Sequence, residues 1–272
     1  MVKRIVILLT IVSFLAAFAF GEGQKEAAET EAAAEGETVK IGIVSPQSGN
    51  YADHGAMERV GMKMAVDDFG GKVLGRTIEL MEVDSETNPD IAARRAKRLI
   101  QANDVKFLMG GVSSSVAIAV SAVCDEGGAL FIASNQNSDT LNGEHARKTM
   151  FRTPPGMAPL VRGSAQWVAD NLGKKWYFMT HDYSWGWSGT VWAREMLEPV
   201  GATEIGEAKI PLGTRDFSSY LLKLSNSDAD VVVCTVGGFD MIAMYRQMND
   251  FGIFDKMAVW HTLENYADAI SL

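Results

Sequence analysis

Cysteine is nearly missing from this chain, with two in 272 residues, and histidine is scarce, with four. Cys124 and Cys234 lie far apart, each inside an apolar segment. An exported protein could pair them, but their surroundings favour two isolated buried thiols. His54, His145, His181 and His261 are dispersed, with no H-E-x-x-H and no cysteine pair beside them, so no metal site is expected. Basic clusters are missing too. Lys and Arg total 25 against 34 Asp and Glu, a formal net charge of -9, and no stripe of one sign stands out. Nothing there favours a nucleic-acid partner, and none is expected. The catalytic signatures G-x-S-x-G and G-x-x-x-x-G-K-[ST] do not occur. The first strand is not followed by G-x-G-x-x-G, so no dinucleotide or other cofactor is expected. A Ser113/His54/Asp84 relay can be drawn from strand-end positions, but nothing local supports it. No enzymatic activity is expected from these motifs.

A long apolar run, broken only by Thr10 and Ser13, occurs at the N-terminus alone. Lys3 and Arg4 precede Ile5–Phe20, and small residues follow at Ala17, Ala19 and Gly21. A basic flank, a short apolar core and a small-residue exit predict a secretory signal over 1–21 and a periplasmic or other extracytoplasmic location. The run is short for a membrane span. Residues 22–38 are rich in Ala and Glu, with no face to bury, and predict a flexible spacer.

From Val39 short branched-aliphatic runs alternate with helical-period segments of roughly 10–15 residues, the mark of βαβ units and a parallel sheet. "VKIGIV", "TIELMEVD", "VKFLMGG" and "ALFIAS" read as strands. "GAMERVGMKMAVDDF", "NPDIAARRAKRLIQAN" and "SSVAIAVSAVCDEG" read as helices. Asn88-Pro89-Asp90 is a helix start with proline in the first turn. The rhythm breaks at "MFRTPPGMAP", which holds three of the seven prolines. It then resumes, with helices over 160–171, 187–199, 217–224 and 239–251. The expected architecture is α/β: two doubly wound parallel-sheet lobes joined near Arg152–Pro155, 39–153 plus 262–272 forming the first and 154–261 the second.

Open α/β sheets bind ligands beyond the carboxyl ends of their strands. In "GGVSSS" two glycines permit a tight exit from a strand. Ser113 or Ser114 can cap the following helix, whose first-turn amides suit an anion such as a carboxylate. One serine would serve an ordinary cap, so Ser113, Ser114 and Ser115 together favour a ligand seat. "HDYSWGWSG" puts Trp185 and Trp187 just after an apolar strand, where indoles form walls of recognition sites; Trp187 could instead lie within the helix. "VGGFDM" offers Asp240, which can pair with an ammonium group or serve as an N-cap.

These loops, taken in order with "IGIVSPQSGNYADHG", "CDEGGALFIAS", "FRTPPG", "RDFSSYLLKL", "DADVVVCTVGG" and "RQMNDFGI", resemble the exported solute-binding proteins of the leucine/isoleucine/valine-binding type that serve ABC transporters. The resemblance runs from Val39 to the end. It implies the type I periplasmic binding fold and a monomer that captures a small amino acid, amide or related carboxylate for a membrane permease. The family's carboxylate-binding serine carries over to Ser113, with Ser114 and Ser115 beside it. The turn after the next strand matches Asn135 and Asn137, where the family has a backbone carbonyl and a hydroxyl. A first-loop aromatic is matched by His54, a second-lobe tyrosine by Trp185, and the acid that pairs with the ammonium by Asp240. Asparagine in place of the hydroxyl, and the changed aromatics, imply a side-chain pocket unlike one for leucine. Family members continue well past "WHTLENYADAISL", so a truncated chain with an incomplete second crossover is expected. A ligand-sensing ectodomain of the same fold is the alternative, and a secreted α/β hydrolase a more distant one.

Overall fold

The computed structural model describes residues 38–263. The expected signal over 1–21, the spacer up to residue 37 and residues 264–272 lie outside the described residues. Among the described residues no helix is long and apolar enough to cross a membrane.

The first lobe runs β1 (Val39–Ser45), α1 (Ala52–Asp68), β2 (Lys72–Val73), β3 (Arg76–Asp84), α2 (Pro89–Asn103), β4 (Phe107–Gly110), α3 (Ser114–Gly127), β5 (Leu130–Ala133), a 3-10 turn at Asp139–Leu141, and β6 (Met150–Arg152). The second runs α4 (Met157–Asn171), β7 (Lys175–His181), α5 (Ser184–Val200), β8 (Thr203–Ile210), α6 (Ser218–Ser225), β9 (Val231–Thr235), α7 (Gly238–Asp250) and β10 (Ala258–His261). Strand order is β2-β3-β1-β4-β5-β6 in the first sheet and β10-β9-β7-β8 in the second. The pairs β1–β4, β4–β5, β5–β6, β7–β8, β7–β9 and β9–β10 are parallel, and the β2–β3 hairpin is antiparallel, with Lys72 opposite Thr77. The expected α/β class with doubly wound parallel sheets is therefore observed.

Contacts group the chain into a small unit, Ala65–Glu79, and a larger one comprising Lys40–Met64 and the chain from Leu80. The small unit contains the β2–β3 turn, closed by the Ile78 amide on the Gly71 carbonyl at 2.9 Å. The remainder of the first lobe from Lys40, and the whole second lobe, fall within the larger unit.

Local chemistry explains the elements. Asn88 caps α2, its Oδ1 accepting the Asp90 and Ile91 amides at 3.0 and 3.1 Å, and Pro89 occupies the first turn, where a missing N–H is harmless. The helix stops at Asp104 in the left-handed conformation. Ala92, Ala96 and Leu99 of α2 pack with Val116 and Val120 of α3 over Leu108 and Phe131 of the sheet. A fully buried side chain such as Phe131 contributes roughly 1.5–3 kcal/mol. In the second lobe both sheet faces are covered. Met179, Ile210 and Leu221 fill one side, and Phe178, Val231 and Val233 the other. This explains why β7 and β9 read as continuous apolar runs. The first sheet is different. In-register neighbours Phe107 with Leu130, and Ile132 with Phe151, point away from the α2–α3 side and are 37–58% exposed.

Two short strands escape the sequence pattern. β2 has two residues, and β6 sits in the proline-rich stretch read as a break. There the Phe131 amide bonds the Thr149 carbonyl and draws Met150–Arg152 alongside β5. α5 begins at Ser184, not at Trp187, so both tryptophans are helical and not loop residues. The first turn lies so close to the end of β7 that a Cβ on Gly186 would come within 2.0 Å of the His181 carbonyl oxygen, so only glycine fits there. Cys124 and Cys234 are free and buried. Thr262 remains on the second sheet through its amide, 3.0 Å from the Cys234 carbonyl.

Candidate functional site

Each sheet has one place where strand order reverses: between β1 and β4 in the first, and between β7 and β9 in the second. Loops leaving such neighbours diverge to opposite faces and open a crevice. The loops concerned are 46–51, 111–113, 182–183 and 236–237, and they meet.

In the first lobe Gly110, Gly111 and Val112 have φ of +109°, +115° and +41°. A Cβ on Gly110 would lie 2.6 Å from the Val44 carbonyl oxygen, and one on Gly111 2.8 Å from Gln136 Nε2. Positive φ at a non-glycine such as Val112 is strain, and strain of this kind collects where loops are shaped for use. The turn delivers three serines with different tasks. Ser113 is the N-cap of α3 but makes no side-chain cap bond, contrary to the expected capping role. Ser114 is fully buried, and its Oγ accepts the Ser138 amide at 3.3 Å. The Oγ of Ser115 lies 3.3 Å from Ser184 Oγ in the second lobe.

Two residues that sequence reasoning did not single out hold this turn. Gln136, fully buried, donates Nε2–H to the Gly110 carbonyl at 2.9 Å. Glu58 of α1 accepts Ser134 Oγ–H on Oε1 at 2.5 Å, while its Oε2 is buried without a partner. Burial pushes the Glu58 carboxyl above its ordinary range.

Asn135 is half-buried, and its amide nitrogen meets the Gln136 side chain at 3.2 Å. Asn137 binds the crossing segment instead of facing open space: Nδ2–H donates to the Pro155 carbonyl at 2.8 Å, and its carbonyl accepts the Met157 amide at 2.9 Å. His54 meets Tyr51 edge-on at 5.2 Å between ring centroids. It is Tyr51 that reaches the second lobe, its hydroxyl 2.8 Å from that of Tyr183 and 3.5 Å from His181 Nδ1.

In the second lobe Trp185 is 8% exposed, with His181 and Tyr183 at ring distances of 6.5 and 6.1 Å. Asp240 is fully buried. Its Oδ2 accepts the Gly213 amide at 2.6 Å and lies 3.2 Å from His181 Nε2. Its Oδ1 has no hydrogen-bond partner, with Arg215 Nη1 3.9 Å away. The Gly237 amide donates to His181 Nδ1 at 3.3 Å, which leaves the ring proton on Nε2, facing Asp240. Burial lowers the His181 pKa despite the neighbouring carboxylate, so the ring is neutral at pH 7. Burial likewise raises the Tyr183 phenol, so it remains a hydrogen-bond donor.

The structure thus brings the serine turn to the start of α5, and Tyr51 to Tyr183, His181 and Trp185. It commits Asn137 and the Oδ2 of Asp240 to protein groups. Helices α3 and α5 both begin without a side-chain cap. Helix starts with unused amide donors are suited to an anion. Among the described residues no group of three or more His, Cys, Asp or Glu could hold a metal ion.

A family model for the periplasmic binding proteins matches residues 38–272. The chain belongs to that family. Leu/Ile/Val-binding protein homolog 8 of Brucella abortus is 29% identical over 248 residues, 85% of this chain and 61% of that one. The crystal structure of a periplasmic binding protein from Burkholderia mallei superposes with a TM-score of 0.82 at 31% identity, over 88% of this chain and 64% of that one. An amino acid ABC transporter substrate-binding protein from Pseudomonas fluorescens gives 0.75 at 25% identity, over 85% and 62%. The chain spans 61–64% of the length of these relatives. In this periplasmic binding protein, then, the reversal points of both sheets carry the candidate site.

Proposed function

We propose that this chain captures a small solute in the periplasm or extracytoplasmic space, after export by its N-terminal signal, and delivers it to the permease of an ABC transporter. The solute is an amino acid, an amide or a related carboxylate. One observation carries the reading: the serine turn of the first lobe meets the uncapped start of α5 in the second, Ser115 to Ser184 at 3.3 Å. A carboxylate there touches amide and hydroxyl donors of both lobes, so binding favours their closure. Relatives named as Leu/Ile/Val-binding and amino acid substrate-binding proteins support the class of solute. No bond in the solute is made or broken. A micromolar solute supplies about 8 kcal/mol, ample to bias a closure equilibrium.

Calorimetry and thermal shift against a panel of amino acids, amides and small carboxylates test the reading. Saturable binding is the expected result, and a flat response across the panel sinks it. Ser113→Ala is expected to weaken a carboxylate ligand by about 1–3 kcal/mol.

A further inference from the structure

Glu58 of α1 reaches the back of the serine turn. Its Oε1 accepts Ser134 Oγ–H at 2.5 Å, and its Oε2 is buried with no hydrogen-bond partner. The same Oε2 stands 3.3 Å from the point where a Cβ on Gly110 would lie, so the acid touches the turn that leads into Ser113. The groups facing the carboxyl are uncharged donors. They are Ser45 Oγ from the end of β1, the Gly111 and Val112 amides from the turn after β4, and Ser134 Oγ from the turn after β5. On α1 the titratable neighbours are His54 and Arg59. His54 is one turn earlier, with its ring on Tyr51. Arg59 pairs with Glu82 at 3.5 Å and donates to the Pro46 carbonyl at 3.0 Å. Among the described residues no cation faces Glu58.

A buried carboxylate without a cation is costly, and an oxygen without a donor adds to the cost. A proton on Oε2 removes both. Burial pushes the acid above its ordinary range, in the same direction. The turn it supports is the one read above as the seat of an anion. An ionised Glu58 puts a second negative charge behind that seat and draws on the amides directly before Ser113. A protonated Glu58 does neither.

We propose that Glu58 is a positioning residue of the carboxylate seat, and that capture of an anionic solute is coupled to uptake of a proton by its side chain. The inference rests on the functional reading above and adds a proton linkage to it. The sign follows from charge. A solute carboxylate at the start of α3 makes ionisation of Glu58 harder, so the bound form holds its proton to higher pH than the free form. Affinity for an anion then falls as pH rises through that interval, by at most about tenfold per pH unit. An uncharged solute meets no such penalty.

The test is calorimetry on the full chain with benzoate and L-leucine, whose own charges hold steady between pH 5.5 and 8, and with benzamide as the uncharged counterpart. Repeating each titration in two buffers of different ionisation enthalpy counts the protons exchanged. The expected result is uptake of a fraction of one proton with each carboxylate, none with benzamide, and tighter carboxylate binding at pH 5.5 than at pH 8. Glu58→Gln, which has the same size but cannot ionise, should abolish the uptake and flatten the profile, whereas His54→Gln should retain both. Circular dichroism verifies that the variants are folded. If Glu58→Gln is not, Glu58→Asp, which keeps a titrating carboxyl at a different distance, should move the profile along the pH axis, and an unmoved profile overturns the inference. A carboxylate that binds with no proton uptake, or with release, also overturns it and leaves the carrier reading standing. So does uptake that persists in Glu58→Gln, which assigns it to another group such as His181, and so does equal uptake with benzamide. If neither carboxylate binds at any pH the inference falls, and the carrier reading falls with it only if the whole panel of solutes is silent.

Discussion

Asn50 of the first lobe caps a helix of the second. Its Oδ1 accepts the Asp240 amide at 3.0 Å, its carbonyl accepts the Phe239 amide at 3.2 Å, and its Nδ2–H donates to the Gly237 carbonyl at 3.1 Å. The local N-cap of α7 is Gly237, which has no side chain to do this. Gly238 follows with φ of +65°, and a Cβ there would lie 2.5 Å from the Asn50 carbonyl oxygen. The glycine pair therefore serves close approach of the first lobe.

Asn50→Ala is expected to cost about 1–2 kcal/mol, the worth of a lost helix cap. It should also loosen the closed arrangement. Urea denaturation reads the first effect and small-angle scattering the second. A variant as stable and as compact as the parent would show that the cap contributes nothing to either.

Asp139 is a second tie between lobes. Its Oδ2 accepts Trp192 Nε1–H at 2.7 Å, Ser188 Oγ–H at 3.0 Å and the Ala158 amide at 3.1 Å. Asp139→Ala strands those donors in a partly buried place, at a cost of about 1–3 kcal/mol. Asp139→Asn retains one acceptor and should lose less. The order Ala worse than Asn, measured by chemical denaturation, is the expected outcome, and the reverse order would contradict it.

Stability should depend on pH through His181 and Glu58, with opposite signs. The folded pKa of His181 is depressed, so its contribution is present above its unfolded value of about 6.5 and is lost as pH falls below it. The folded pKa of Glu58 is raised, so its contribution is complete below its unfolded value of about 4.3 and shrinks as pH rises above it. His181→Gln should flatten the loss of stability on the acid side of pH 6.5. Glu58→Gln should gain on the parent as pH rises from 4.3 towards neutral. Denaturation curves collected between pH 4 and 8 check both slopes.

The apolar side chains that the described residues leave exposed on the first sheet should bind hydrophobic dye. Exposed apolar surface of this kind takes up hydrophobic dyes and partners. Ile132→Thr combined with Phe151→Ser, at positions 37% and 58% exposed, should lower ANS fluorescence while costing less than about 1 kcal/mol. Unaltered dye binding would place the dye-binding surface elsewhere.

Much of the fold was legible because strands and helices declare themselves by local period. The helix over 114–127 is observed with the bounds read from sequence. The serine turn was also found, since strand, glycines and helix start are consecutive. What escaped is nonlocal. Asn50 and Tyr51 lie in a loop that was quoted, but nothing in their neighbourhood announces partners 130–190 residues away. The sign available was negative: a helix beginning with two glycines has no cap of its own and must find one elsewhere. Glu58 escaped because an acid in a charged helix looks solvated. Only the fold turns it under Gly110 and Ser134. The early start of α5 escaped because tryptophan and glycine are poor heralds of a helix.

Among the described residues the two sheets share no strand: the last strand of the first in chain order is β6, ending at Arg152, and the second starts with β7 at Lys175. During synthesis every described strand of the first sheet is therefore made before any described strand of the second. Asn50 is in place long before the ribosome reaches Gly237. The first half thus presents, already in sequence order, the cap that the later helix lacks.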